Sequence, residues 1–398
     1  MKPLAVSAFT LVSALGRGRD SHLEALRTGR SGLAPCAFAP LGEQQPLDTW
    51  VGEVSGLDDV VLPSALANWD CRNNRLAWLG LETDGFRARI AQAVARWGRH
   101  RIGVFMGTST SGILQTELAY RRRDPHTGAL PADFHYAETH NTYSVGDFVR
   151  HALDISGPAF VVSAACSSSA KVYGNAARMI ELGLIDAAVV GGVDSLCLTT
   201  LHGFASLEVL SPEACRPFDA DRSGISIGEA AAFALLERES AAPVAWLRGV
   251  GESSDGYHMS SPLPDGAGAA RAMRDALGDA GLAPDRIDYV NLHGTATRAN
   301  DAAEDAAVAS VFGPGMACSS TKGATGHTLG AAGGIEAAIV MLSLAAGLRP
   351  GGLNVASVDP AVQCRYLTVT EPAPMRFGLS NSFGFGGSNS SLVFGAAS

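Results

Sequence analysis

Five residues in three separated stretches have side chains suited to acyl chemistry. Cys166 ends the apolar run 160–165 and stands before a cluster of small residues in SAACSSSA (163–170). His293 lies in NLHGTAT (291–297), and Lys322, His327 and Glu336 fall in or just after STKGATGHTLGAAGG (320–334). A thiol where a strand hands over to a helix, expected from about Ser167 to Leu182, meets unpaired N–H groups and the positive end of the helix dipole. That position predicts a lowered thiol pKa and a nucleophile. Neutral imidazoles that donate N–H bonds stabilise negative charge developing on a carbonyl or enolate oxygen. Lys322 is placed to keep both rings neutral, and Glu336 to pair with Lys322.

These side chains need elements that carry them to one point. Three echoes recur in the same order in the two halves of the chain. IGVFMGTSTSG (102–112) matches IDYVNLHGTAT (287–297), 160–179 matches 317–341, and AAVVGGVDS (187–195) matches GLSNSFGFGGSN (378–389). In each, an apolar strand runs into a turn of small residues. The pattern predicts an α/β protein built from a duplicated unit, its strands buried beneath helices. The halves divide near Ala242–Pro243, giving 1–242 and 243–398, with a polar, helix-capable insertion at 113–150.

The chain has 398 residues, 46% of them hydrophobic, enough for a large core. Its seven cysteines are scattered without metal-ligand or disulfide spacing, which predicts a reducing, cytoplasmic setting and no metal. The start, LAVSAFTLVSAL (4–15), could pass for a secretory leader, but Gly16 and Gly18 punctuate it and favour a first strand at Ala5–Phe9. The apolar run Ile335–Leu348 contains Glu336 and is too short to span a bilayer. A net charge of −9 argues against nucleic acid as a partner, so an acidic partner would need a local basic patch. Arg72 and Arg75 offer one, and Arg121, Arg122 and Arg123 another.

With RPFDADRSGISIGE (216–229) and NSFGFGGSN (381–389), these blocks resemble the signatures of the β-ketoacyl-[acyl-carrier-protein] synthases, over essentially the whole chain. The resemblance is to the elongating type I/II branch of the thiolase-like superfamily. It implies a thiolase-like fold of two αβα halves in a five-layered αβαβα core. It implies a dimer, either homotypic or with a chain-length-factor-like paralogue, and no membrane partner. It further implies a Cys166–His293–His327 triad supported by Lys322 and Glu336, with Asp301 and Glu304 following the His293 turn. The oxyanion hole would be the backbone N–H groups of Cys166 and Phe385. Thr295, Thr297, Phe385 and His258 would bind the pantetheine arm, with 255–262 facing Phe385, and Arg72 and Arg75 would dock the acyl carrier protein. No tightly bound cofactor is implied, only the 4'-phosphopantetheine that the carrier brings.

The chain departs from the family pattern at Arg298, where Pro is common, at Ala230, where Gly is common, and at Ser388, where Thr is common. RNNRL, GISIGEAAA and GESSDGYHMSSPLPDG are more similar to synthases of bacterial aryl polyene clusters than to housekeeping fatty-acid enzymes. A thiolase would need a second cysteine in the C-terminal Gly-rich loop, and Cys364 lies outside it. A non-catalytic chain-length factor would lack the nucleophile. A Cys-dependent hydrolase would share the thiol but release free acid.

Overall fold

The computed structural model describes residues 1–40 and 47–397. Ten strands form its framework. The first half contributes β1 (Leu4–Ser13), β2 (Ile102–Gly107), β3 (Ala159–Val162), β4 (Ala187–Asp194) and β5 (Ala230–Glu237). The second contributes β6 (Ala245–Ser254), β7 (Tyr289–Asn291), β8 (Ala317–Ser319), β9 (Phe377–Gly384) and β10 (Ser388–Ala396). The first five lie in the order β3-β2-β4-β5-β1 and the second five in the order β8-β7-β9-β10-β6, one topology used twice. In both, the first three strands in that order are parallel and the last two join antiparallel. The three sequence echoes fall on equivalent strands: β2 with β7, β3 with β8, and β4 with β9. A short antiparallel pairing of β1 with β6, Leu4 opposite Leu247, links the two sheets.

The helices supply three further layers. They are α1 (Gly18–Thr28), α2 (Arg72–Leu81), α3 (Phe86–Trp97), α4 (Ile113–Arg121), α5 (Ser144–Ala152), α6 (Ser168–Glu181), α7 (Leu198–Ser206), α8 (Ala267–Ala280), α9 (Arg298–Phe312) and α10 (Ala332–Ala346). Helices α2, α3 and α5 cover the outer face of the first sheet, while α8 covers the second with α9 packed beside it. Between the sheets, α6 lies on β2 and β4, α10 lies on β9 and β5, and the two helices touch. With both faces covered, a strand needs no polar side, and β1, β4 and β5 are buried at every residue. The leader-like start is therefore a core strand, longer than the Ala5–Phe9 expected from sequence.

Three residues of tight helix, Leu329–Ala331, precede α10 and lengthen its apolar run beyond the sequence-based expectation. The 18-residue stretch Leu329–Ala346 is long and apolar enough to cross a membrane, yet 89% of it is buried inside the molecule. Its main part, α10, is one of the two central helices of the core.

A middle layer shared by two sheets leaves little room where it meets the strand ends. A Cβ on Gly107, the last residue of β2, would lie 2.3 Å from the backbone nitrogen of Ser169 in the first turn of α6. One on Gly333 would lie 2.6 Å from the nitrogen of Ala170. Gly107→Ala is expected to cost about 1–3 kcal/mol, read as a lowered urea midpoint at unchanged m. An unaltered midpoint would mean that α6 does not sit against β2 as described.

Candidate active site

Cys166 stands two residues before α6, on a turn where Ala165 holds a left-handed φ of 49°. A β-carbon disfavours that conformation, so the surrounding packing must hold it. The turn exposes one side of the sulfur to a cleft, while the end of β9 closes on the other. A Cβ on Gly384 would fall 2.9 Å from the carbonyl oxygen of Ala164 and 3.3 Å from the nitrogen of Cys166. Glycine at this position lets the next residue, Phe385, direct its backbone N–H at the sulfur beside the N–H of Cys166 itself.

Two buried carboxylates on the first turns of α9 shape the His293 turn. Glu304 accepts the N–H groups of His293 (2.8 Å) and Gly294 (2.7 Å), and Asp301 accepts those of Thr295 (3.1 Å) and Ala296 (3.2 Å). Thr297 caps α9 by accepting the N–H of Asn300. The His327 turn is tied to the RSGISIGE segment instead: His327 N–H donates to the carbonyl of Ser226 (2.7 Å), and Gly228 N–H to the carbonyl of His327 (3.0 Å).

Hydrogen-bond partners assign both tautomers. The N–H of Leu329 donates to His327 Nδ1 (3.1 Å), so the ring proton sits on Nε2, 3.1 Å from the Cys166 sulfur. Lys322, which has only hydrogens to offer, lies with Nζ 3.4 Å from His293 Nδ1, which puts that ring's proton on Nε2 as well. The ammonium also donates to the His293 carbonyl and to Glu336. The rings meet edge to face, with centroids 5.4 Å apart. One donor atom from each of Cys166, His293 and His327 lies within 4.8 Å of the others, close enough for a metal ion. With both Nε2 atoms protonated, however, the histidines present hydrogens rather than lone pairs to the cleft, which suits an oxygen anion.

Burial dominates the electrostatics. It pushes the Cys166 thiol up to about 11, against the opposing pull of Lys322 and the two backbone N–H groups. The direction is opposite to the lowered pKa expected from the helix N-terminus: desolvation of the thiolate outweighs the Lys322 charge and the N–H groups of Phe385 and Cys166. Burial also carries both imidazoles well below the ordinary histidine range, and the Lys322 charge adds to it in each case. Both rings are neutral at physiological pH. Glu336 and Glu304 are pushed up to about 7, again chiefly by burial.

The cleft above these groups has a volume of about 270 Å³. Thr295 and Thr297 form part of its wall, their hydroxyls 2.9 Å apart, and Phe385 stands at its edge, 41% exposed. The facing loop is anchored to the Gly-rich turn through Gly386 N–H to Met259 carbonyl (2.7 Å). His258, expected to bind the arm, is exposed and absent from the cleft lining, its ring turned to the N–H of Ser260. Arg72 is also corrected. It is 5% exposed, paired with Glu229, Glu53 and Asp58, and cannot serve as a docking charge. Arg75 is half-buried and held by Asp70 through two bonds of 2.6 and 2.8 Å. Arg121, Arg122 and Arg123 remain exposed, Arg122 paired with Asp133.

Sequence reasoning missed the acids that brace these turns. Asp194 accepts Thr108 Oγ1 and the N–H groups of Ser109 and Thr110. A Cβ on Gly330, beside the His327 turn, would meet its carboxylate at 2.7 Å. Glu229 gathers Arg72 and the N–H groups of Val54 and Leu196. The available signal was an acid at the end of, or just before, an otherwise apolar strand.

A Gly-rich duplicated α/β core that presents a buried thiol to two neutral imidazoles defines a Cys–His–His condensing enzyme. The models for the beta-ketoacyl synthase N-terminal and C-terminal domains match residues 75–242 and 244–356. The 3-oxoacyl-[acyl-carrier-protein] synthase 2 of Coxiella burnetii is 31% identical over 98% of this chain and 97% of its own. The mitochondrial 3-oxoacyl-[acyl-carrier-protein] synthase of Arabidopsis thaliana is 42% identical, and that match spans 56% of its length. Among solved structures, the ketosynthase ApeO of Xenorhabdus doucetiae, seen in complex with its chain length factor ApeC, superposes with a TM-score of 0.90. It shares 39% identity and covers 99% of this chain and 98% of its own. This chain belongs to the β-ketoacyl synthase family.

Because burial raises the thiol, iodoacetamide alkylation of Cys166 is expected to keep accelerating with pH beyond pH 9, toward the value of about 11. A rate that levels off below neutrality would show that the helix end wins after all.

Proposed function

We propose that the chain extends an acyl group by two carbons, using malonyl-carrier protein as donor. The observation that carries this is the pair of neutral, Nε2-protonated imidazoles directed at the position above one buried sulfur. Cys166 takes the acyl group as a thioester and the carrier thiol leaves. With burial pushing the thiol up to about 11, thiolate is scarce at pH 7, so the transfer relies on charge stabilisation during attack. The N–H groups of Cys166 and Phe385 receive the carbonyl oxygen as it becomes an oxyanion.

The malonyl thioester then lies with its carbonyl oxygen between the two Nε2–H donors. Its carboxylate leaves as carbon dioxide, and the electron pair of the broken C–C bond forms an enolate whose oxygen those donors hold. The enolate carbon attacks the acyl carbonyl, a C–C bond forms as the C–S bond to Cys166 breaks, and the departing thiolate takes up one proton from water. Thr295 and Thr297 bond the pantetheine arm, and Phe385 gates it. The arm is 4'-phosphopantetheine on an acyl carrier protein, and we place the reaction in the cytoplasm.

Likeness to ApeO, together with RNNRL and GESSDGYHMSSPLPDG, supports aryl polyene rather than housekeeping fatty-acid elongation. The complex named for ApeO supports a second subunit of the same fold, such as a chain-length-factor-like paralogue. Strand β3 ends its sheet with Phe160 49% exposed, and Tyr120, Tyr136 and Tyr143 are exposed in the neighbouring insertion. Phe160→Asp is expected to shift the assembly to single chains in light scattering, and an intact dimer would remove β3 from the interface.

Offered acyl- and malonyl-carrier protein together, the enzyme is expected to release one carbon dioxide and a chain longer by two carbons. Free acid alone would mark a hydrolase. His293→Ala should reduce malonyl decarboxylation by about a hundredfold or more while slowing Cys166 acylation much less. Equal losses in the two assays would refute the division of roles. Since both imidazoles titrate well below 6.5, decarboxylation should hold constant from pH 8 down to about pH 6. A fall centred near 6.5 would mean that one ring is charged in the resting site.

A further inference from the structure

The cleft wall that carries His293 rises toward solvent along 293–299. His293 and Thr295 are buried, Thr297 is half-buried, and Arg298 and Ala299 are exposed. Thr297, Ala299 and Asn300 line the cleft, so Arg298, the first residue of α9, stands on its rim. Among the described residues no Lys or Arg lines the cleft itself, and the one carboxylate that does, Asp255, accepts from Asn389 Nδ2 at 2.7 Å.

The acids near Arg298 are already engaged. Asp301 is buried against the N–H groups of Thr295, Ala296 and Phe218, with the Arg222 guanidinium 3.4 Å away. Asp359 is held below the usual carboxylate range by the Ala361 N–H and by Arg222 (2.7 Å), with Arg298 only a minor contributor. Among the described residues Arg298 has no ion-pair partner within 4 Å. Arg298 thus presents an exposed guanidinium at the cleft rim, within electrostatic reach of Asp359 but in no close ion pair, at a position where the family resemblance leads one to expect proline.

Resting on the reading above, we propose that Arg298 recognises the phosphate of the 4'-phosphopantetheine arm and makes that phosphate a determinant of substrate selection. The thioester end of the arm lies at Cys166 and the histidines, the threonines meet its amides, and its phosphate is the part left at the rim. A guanidinium matches a phosphate's geometry and charge, whereas proline offers neither. Arg298 touches no reacting atom, so its effect belongs in KM rather than kcat.

The test compares malonyl thioesters of the carrier protein, of free 4'-phosphopantetheine and of pantetheine without phosphate. Arg298→Gln is expected to raise KM about 3- to 10-fold for the first two, lowering their kcat/KM relative to the third, and Arg298→Lys to recover part of the loss. A loss confined to the carrier protein would mean that Arg298 reads the protein's acidic surface, and would overturn the proposal. So would equal losses with all three substrates, or none. A second readout needs no condensation: 4'-phosphopantetheine should protect Cys166 from iodoacetamide better than pantetheine, and Arg298→Gln should erase the difference. Should the wild type fail to condense any substrate, the proposed function falls while the protection experiment still decides the role of Arg298.

Discussion

The site depends on one ammonium group sealed in the core. Lys322 is 1% exposed and donates to the Glu336 carboxylate, to the carbonyl of His293 and toward the same residue's Nδ1. An isolated buried cation would be prohibitively costly, and Glu336, equally buried, makes it tolerable. Once in place, the charge opposes protonation of both imidazoles and leaves His293 no tautomer but the one with its hydrogen toward the cleft. It also lowers the cost of a thiolate at Cys166, although burial still prevails. One positive charge therefore sets the protonation state of the histidines and favours negative charge where the chemistry creates it.

The duplicated topology brings these groups together. Cys166 follows β3 in the first sheet, and Lys322 and His327 follow β8, its counterpart in the second. The helices that come next, α6 and α10, are the two central helices and pack against each other, with Ser169 Oγ accepting the N–H of Gly334 at 2.8 Å. Two equivalent turns are thereby pressed together at the middle of the molecule. Contact that close requires small residues, which explains the concentration of Gly, Ala and Ser around the nucleophile.

Buried acids perform the remaining positioning. Asp301 and Glu304 satisfy the backbone N–H groups of the His293 turn, and Asp194 those of the turn after β2. Glu229 joins three segments around Arg72. A carboxylate can accept several N–H groups at once, so it fixes a turn that has no ladder partner of its own. Desolvation is the cost, and it appears as the upward displacement of Glu304 to about 7.

Much of this was legible in the chain. The three echoes exposed the duplication because equivalent strands repeat the same sequence of apolar run and tight turn. Cys166, His293, His327, Lys322 and Glu336 could be named because reactive side chains in turns of small residues stand out. The roles of Arg72 and His258 could not be read, since charge and position along the chain do not tell whether a side chain folds inward to Glu229 or outward to solvent. The ionisation of Cys166 was misjudged for a related reason. A helix N-terminus is local and visible in sequence, whereas desolvation depends on how much of the rest of the molecule closes over the sulfur. Sequence alone determined which groups exist and which turns carry them. Only the tertiary structure decided which of them face one another and how far each is withdrawn from water, because both depend on contacts between separate segments, Cys166 meeting His327 across 161 positions and Arg72 meeting Glu229 across 157.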